Sequence, residues 1–305
     1  MGVIAHAIRQ SCPRKERAKP PRLQPLGHAV RAVQNPKEKA KEPAVAAFDA
    51  SACEALIEGL TAIAARAAAA IRQRGAASLR HKADGSPVTA ADQAAEAVIL
   101  QDLNRLAPGI PIVSEERSGQ AQAGTRDATY FLVDPLDGTR EFIAGRDEFT
   151  VNIALINLAT PLMGIIAAPA ADLAWRGIVG RGAERVRLAD QSRRTAIRTR
   201  PRSAHPVVMI SRSHLDADTK AYLAGVAQAS AITSGSSIKF CRIAEGTADL
   251  YPRLAPTHDW DVAAGHALVL AAGGEVRAAN GSPLVYGTSK RLIPDFVASG
   301  DPRQG

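Results

Sequence analysis

The run Asp134-Pro135-Leu136-Asp137-Gly138-Thr139 puts two carboxylates, a glycine and a hydroxyl directly after the apolar segment 130–133. A buried strand ending in Asp134 sets that carboxylate at a sheet edge. Pro135 has no N–H and interrupts regular pairing, so the chain turns and Asp137 approaches Asp134. Gly138 reaches backbone angles closed to other residues. If a helix or tight turn starts there, the Gly138 and Thr139 amides face an anion. Carboxylates hold a hard divalent cation through oxygen, and free amides fix phosphate oxygens. Such a group of residues suits hydrolysis of a phosphate ester. The plainer reading of the same run is an acidic Asx turn.

Other acids bear on that choice. Ile112-Val113-Ser114-Glu115-Glu116 ends a second short strand in two carboxylates, and Trp260-Asp261 precedes an Ala-rich helix. Alone, the Glu pair reads as solvated surface and Asp261 as a helix cap. Thr89-x-x-Asp92 is a variant of the capping box, and Lys82 lies in the loop before it.

Positioning these residues requires layered helices and sheets. Asp49 or Ser51 can cap a helix running toward Gly75, and Thr89 opens another, ended by Pro108-Gly109. Short β-branched runs at 110–113, 130–133, 149–156 and 163–167 read as strands. A polar, Arg-rich stretch (181–202) follows. Beyond it come a strand at 207–210, helices at about 215–227, 236–246 and 261–272, and a strand at 296–299. The fold class is α/β, an α+β layered sandwich of helices alternating with mixed sheets. The organisation expected is a basic extension over 1–45, one subdomain over 46–200 carrying Glu115 and Asp134–Thr139, and another over 201–305 carrying Asp261.

The formal charge of +8 is concentrated at one end. Residues 1–42 hold ten Lys/Arg against three Asp/Glu, leaving the other residues with 28 against 27. A near-neutral body argues against a nucleic-acid enzyme. The extension lacks hydrophobic periodicity and reads as disordered. It has no apolar segment of the secretory kind, and no run in the chain approaches a bilayer span. Three scattered cysteines fit a reducing cytoplasm. The absence of G-x-S-x-G and of G-x-x-x-x-G-K-[ST] disfavours a serine hydrolase and a P-loop kinase.

The two motifs, Asp134–Thr139 and Trp260-Asp261-Val-Ala-Ala-Gly265, resemble the signatures of the metal-dependent phosphatases of the inositol monophosphatase superfamily. The likeness spans about 80–275. It implies Mg²⁺, two or three ions per site. Glu115, Asp134 and the Leu136 carbonyl would hold one ion, and Asp134, Asp137 and Asp261 a second, with Asp134 bridging. Glu115 would also reach a third, weaker ion. Asp92 and Thr139 would form the catalytic pair that orients and deprotonates water. Gly138 and Thr139, with Glu115, Leu136, Asp137 and Asp261, would border the substrate. Lys82 would neutralise the crowded carboxylates or serve only as a loop charge.

Three passages are similar to one branch, the bacterial 3'(2'),5'-bisphosphate nucleotidases (the CysQ group). These are 82–92, then 137–142 with 148–155, then 237–241 with Ala244-Glu-Gly246 and Leu250-Tyr-Pro-Arg253. Arg140 stands where that group commonly has Lys. A substrate with two phosphates favours cations at the pocket, and Lys239 and Arg253 are candidates for holding the phosphate that stays. The substrate implied is adenosine 3',5'-bisphosphate, with 3'-phosphoadenylyl sulfate as a second. The alternatives are an inositol-1-phosphate or related sugar phosphatase and a nucleic-acid-binding or regulatory protein using the basic extension. A monomer or homodimer in the cytoplasm is expected, with weak peripheral contact between the extension and anionic membrane as an option.

Overall fold

Asp49 starts the first helix by accepting the Ala52 N–H at 3.0 Å. Helix α1 (Ala50–Arg74) then buries Leu60, Ile63, Ala64, Ala67, Ala68 and Ile71, a stripe at helical spacing. The computed structural model describes residues 48–75, 79–82, 85–120 and 127–300. The expected basic extension lies outside them.

After α1 come the two-residue strands β1 (Arg80–His81) and β2 (Pro87–Val88), paired antiparallel around the loop that carries Lys82. Helix α2 (Ala90–Leu106) and strand β3 (Ile112–Ser114) follow, and a 3-10 segment begins at Glu115. Next are β4 (Thr129–Asp137), the short helix α3 (Thr139–Ile143), β5 (Thr150–Asn157), β6 (Thr160–Ala168), β7 (Leu173–Ile178), β8 (Gly182–Arg187) and β9 (Arg194–Ile197). Strands β3 to β9 form one sheet in chain order, parallel between β3 and β4 and antiparallel thereafter.

The second half holds β10 (Val207–Ser211), α4 (Ala217–Ala224), β11 (Ser230–Ser234), α5 (Ile238–Ala244), β12 (Leu250–Arg253) and β13 (Thr257–His258). It ends with α6 (Asp259–Ala271), β14 (Glu275–Ala278), β15 (Leu292–Ile293) and β16 (Phe296–Ser299). A five-stranded mixed sheet runs in the order β11-β10-β12-β16-β14, and β13 pairs with β15.

Alternation along the strands assigns the layers. Phe131, Val133, Val151, Ile153 and Ile165 pack with α1 and α2. Tyr130, Leu132, Ala154, Ile156 and Ile166 face the opposite way, into a core shared with α5, α6 and Met209, Tyr251 and Phe296 of the smaller sheet. Val208, Ile210 and Leu250 turn outward beneath Leu223 of α4. The order is therefore helix, sheet, helix, sheet, helix. Both faces of β4, β5 and β6 are covered, so these strands are nearly continuous apolar runs.

The stretch 181–202, legible only as a polar connection, forms β8 and β9. Its strands are masked in sequence because their inner partner is Arg176, 2% exposed. Arg176 is held by Glu58 at 3.0 Å, Thr61 at 2.7 Å and Glu184 at 2.8 Å. A neutralised ionic cluster fills the place where apolar alternation would have marked the strands. The chain passes from one sheet to the other between Ile197 and Val207. The cores on either side of residue 200 are joined through α6, and the described residues belong to one unit, Ala46–Gly305.

Candidate active site

Strand β4 does not stop at Asp134. It runs on to Asp137, and its pairing with β5 breaks between those two residues, where Pro135 removes a donor. The irregularity turns both carboxylates toward one side. Gly138 then adopts a left-handed φ of 87° and opens α3. A Cβ there would lie 2.8 Å from the Glu148 carbonyl oxygen, so the turn is closed to larger residues.

The third carboxylate arrives from the far half of the chain. Asp261 sits in the first turn of α6, where its Oδ2 accepts the Thr257 hydroxyl at 2.6 Å and the His258 N–H at 3.0 Å. It is both a cap and a site residue. Ligand atoms of Asp134, Asp137 and Asp261 lie within 4.8 Å of one another. Glu115, at the end of β3, borders the same cleft and interacts with both Asp134 and Asp261. The Lys82 ammonium lies 2.6 Å from Glu115 and 2.8 Å from Glu116. Lys82 is therefore a counter-charge to the acidic group rather than a loop charge.

The electrostatics follow from crowding. Burial, with repulsion from Glu115, Asp137 and Asp261, holds the Asp134 carboxyl well above its usual range. Burial, with repulsion from Asp261, pushes Asp137 up to about 7, against relief from Lys239, Asn152 and the Ser237 N–H. Burial likewise pushes Glu115 up to about 7, with Lys82 opposing and Asp261 adding. Burial works against the Lys82 ammonium, but Glu115 and Glu116 outweigh it and raise its pKa. Lys82 and Lys239 together cannot neutralise four acids. The donor set fits a hard divalent cation, which is bound by carboxylate oxygens and supplies the missing positive charge.

Asp92 carries two hydrogen-bonding roles at once. Its Oδ2 completes the cap of α2, accepting the Thr89 N–H at 2.8 Å and the Thr89 hydroxyl at 2.7 Å. Its Oδ1 lies 3.2 Å from the Thr139 hydroxyl, which is also 3.1 Å from the Leu136 carbonyl. The capping box thus fixes a buried carboxylate beside the acidic turn.

Lys239 and Arg253 border the cleft, but both are engaged by the protein. The Lys239 ammonium donates to the carbonyls of Ser234, at 3.3 Å, and Ser236, and lies 5.1 Å from the Tyr251 ring centroid. Burial lowers it to about 8, although Asp137 favours its charge. Arg253 donates to Ser211 at 3.3 Å and to the carbonyls of Ala255 at 3.3 Å and Pro256 at 3.2 Å. Each holds a cleft loop in place, a role that sequence reasoning did not assign.

Sequence reasoning also missed the support of Asp137. Thr150 and Asn152 of β5 approach its Oδ2 at 3.5 and 3.4 Å, and Ser237 bonds both, at 2.7 Å each. Two polar residues at i and i+2 in an otherwise apolar strand were the available signal. The whole cleft is about 280 Å³. Its acids come from the end of β3, from β4, α3 and α6, with Lys82 paired to them, and Lys239 and Arg253 enter from α5 and β12.

A five-layer sandwich with carboxylates from three separated segments meeting in one cleft defines a metal-dependent phosphatase class. The chain belongs to the inositol monophosphatase family, whose pattern matches residues 52–299. It is 46% identical over 219 residues to the 3'(2'),5'-bisphosphate nucleotidase CysQ of Shigella flexneri, covering 72% of this chain and 87% of the relative. The Escherichia coli K12 CysQ protein is 45% identical with the same coverage. The solved CysQ structure from Bacteroides thetaiotaomicron superposes with a TM-score of 0.69 and 36% identity, over 83% of this chain and 98% of that one. An inositol monophosphatase from Anabaena follows at TM-score 0.66 and 27% identity, over 82% and 92%.

Proposed function

We propose that this protein is a Mg²⁺-dependent phosphomonoesterase that hydrolyses adenosine 3',5'-bisphosphate to AMP and phosphate, with 3'-phosphoadenylyl sulfate as a second substrate. The observation that carries the reading is the convergence of Asp134, Asp137 and Asp261 within 4.8 Å beside Glu115. The names of the relatives supply the substrate class.

Glu115, Asp134, Asp137, Asp261 and the Leu136 carbonyl would hold the ions. Bound there, Mg²⁺ supplies positive charge to the phosphate oxygens and makes water easier to deprotonate. The Gly138 and Thr139 amides fix phosphate oxygens in the turn. The Thr139 hydroxyl accepts a hydrogen bond from the attacking water and passes its own to Asp92, which takes up the proton. The cap at Thr89 keeps Asp92 from rotating away. Lys239 and Arg253 are proposed to draw the second phosphate toward the cleft, acting from positions already fixed by their carbonyl partners. A cytoplasmic location and a monomer or homodimer belong to the same proposal.

The test is phosphate release from adenosine 3',5'-bisphosphate, 3'-phosphoadenylyl sulfate and inositol-1-phosphate, with Mg²⁺ or with chelator. Preference for the nucleotides and loss of release in chelator are expected. Asp137→Ala should lower turnover by at least about a hundredfold while circular dichroism stays that of the unaltered protein. Preference for inositol-1-phosphate would overturn the substrate, and normal Mg²⁺-dependent turnover in Asp137→Ala would overturn the ion set.

A further inference from the structure

Two of the carboxylates that follow the acidic turn, Glu141 and Glu148, are not used by the chemistry above. Glu141 lies in α3 and is 4% exposed, a depth at which a carboxylate needs a partner. That partner comes from the other half of the chain, since the Ser213 hydroxyl donates to Glu141 Oε1. Ser213 itself is exposed, in the loop leaving β10.

Glu148 repeats the arrangement a few residues on. Its carboxylate accepts from both Nε and Nη2 of Arg212, each at 2.6 Å, and from the Gly235 N–H at 2.9 Å. Arg212 in turn donates from its backbone to the Ser234 carbonyl at 3.1 Å and from its side chain to the Thr233 carbonyl at 3.3 Å. The fit is close: a Cβ on Gly235 would lie 2.7 Å from Glu141 Cγ and 2.8 Å from the Glu148 carbonyl oxygen. Two loops of the second half, 211–214 and 234–237, are therefore fastened to the segment that directly follows the acidic turn.

Both loops line the cleft: 234–237 lies directly against the acidic turn, where the Ser237 N–H reaches Asp137, and 211–214 contributes Ser211, Ser213 and His214. We infer that Glu141 and Glu148 are positioning residues. Through Ser213 and Arg212 they fix where loop 211–214 stands relative to the acidic turn, and so the fit of a substrate larger than a single phosphoryl group. The inference rests on the phosphatase reading and adds to it a residue pair governing substrate size. A small phosphate ester uses only the acidic end and is indifferent to that loop. A nucleotide bearing two phosphates spans both.

Ser213→Ala is the informative variant, because an exposed serine is replaced and folding is spared. Kinetics are measured with adenosine 3',5'-bisphosphate and with p-nitrophenyl phosphate at saturating Mg²⁺. The variant is expected to raise KM for the nucleotide roughly tenfold with kcat retained, and to leave both parameters for p-nitrophenyl phosphate unchanged. Glu141→Ala should behave alike, and Glu141→Gln, which keeps an acceptor for Ser213, should restore the nucleotide KM. An unchanged nucleotide KM in Ser213→Ala, or an equal rise for both substrates, overturns the inference. No Mg²⁺-dependent turnover of either substrate by the unaltered protein would sink the phosphatase reading, and the inference with it.

Discussion

Asp137 and Glu115, both pushed up to about 7 by burial and neighbouring charge, link ion binding to pH. An ordinary carboxyl in the unfolded chain titrates near 4. Between about pH 4 and 7 the folded protein without metal keeps protons that the unfolded chain has shed. Stability from these groups is thus present at low pH and lost as pH rises through that window. A divalent cation replaces the protons and reverses the loss. Thermal melts in chelator and in Mg²⁺ should therefore diverge with pH, the Mg²⁺ increment being larger at pH 8 than at pH 5. An increment that is flat or shrinking with pH would contradict the charge balance described for the site.

At the scale of elements, the signature 260–265 joins chemistry to packing. Asp261 belongs to the ion set, whereas Gly265, one turn later, is where α5 lies against α6. A Cβ on Gly265 would meet the Phe240 ring at 2.2 Å. Gly265→Ala is expected to destabilise the fold by about 1–3 kcal/mol through overpacking, despite the helix preference for Ala. A denaturant melt equal to or better than that of the unaltered protein would refute the close approach. The elements carrying the site were legible because their signals are local: the cap at Thr89, the apolar run into Asp134, the Pro-Gly punctuation of the turn. Strands β8 and β9 were not, since an ion cluster around Arg176 replaces their apolar side. The partners of Lys239 and Arg253 were not legible either. Backbone carbonyls can satisfy a cation without any sequence signature, and both side chains read only as candidates for holding a phosphate. Asp92 shows the reverse case, in which one readable local motif also fixes a distant contact with Thr139.

For the whole molecule, charge and fold are separable. Among the described residues the lining of the cleft is drawn from 82–262, a stretch of the near-neutral body. Deleting residues 1–47 should leave kcat/KM for adenosine 3',5'-bisphosphate unchanged at physiological salt. A marked fall would give the extension a part in turnover. Among the described residues, no helix is long and apolar enough to cross a membrane.

Helix α6 brings Asp261 to the acidic turn while its other end lies against the larger sheet. The ligands of the ion site are thus spread over nearly half the chain, and the last of them is anchored by Thr257, on a strand whose partner is β15. A ribosome must release nearly the entire sequence before Asp261 can be seated. Shorter products of translation would carry the acidic turn without its full complement of ligands, so tight ion capture would coincide with completion of the fold.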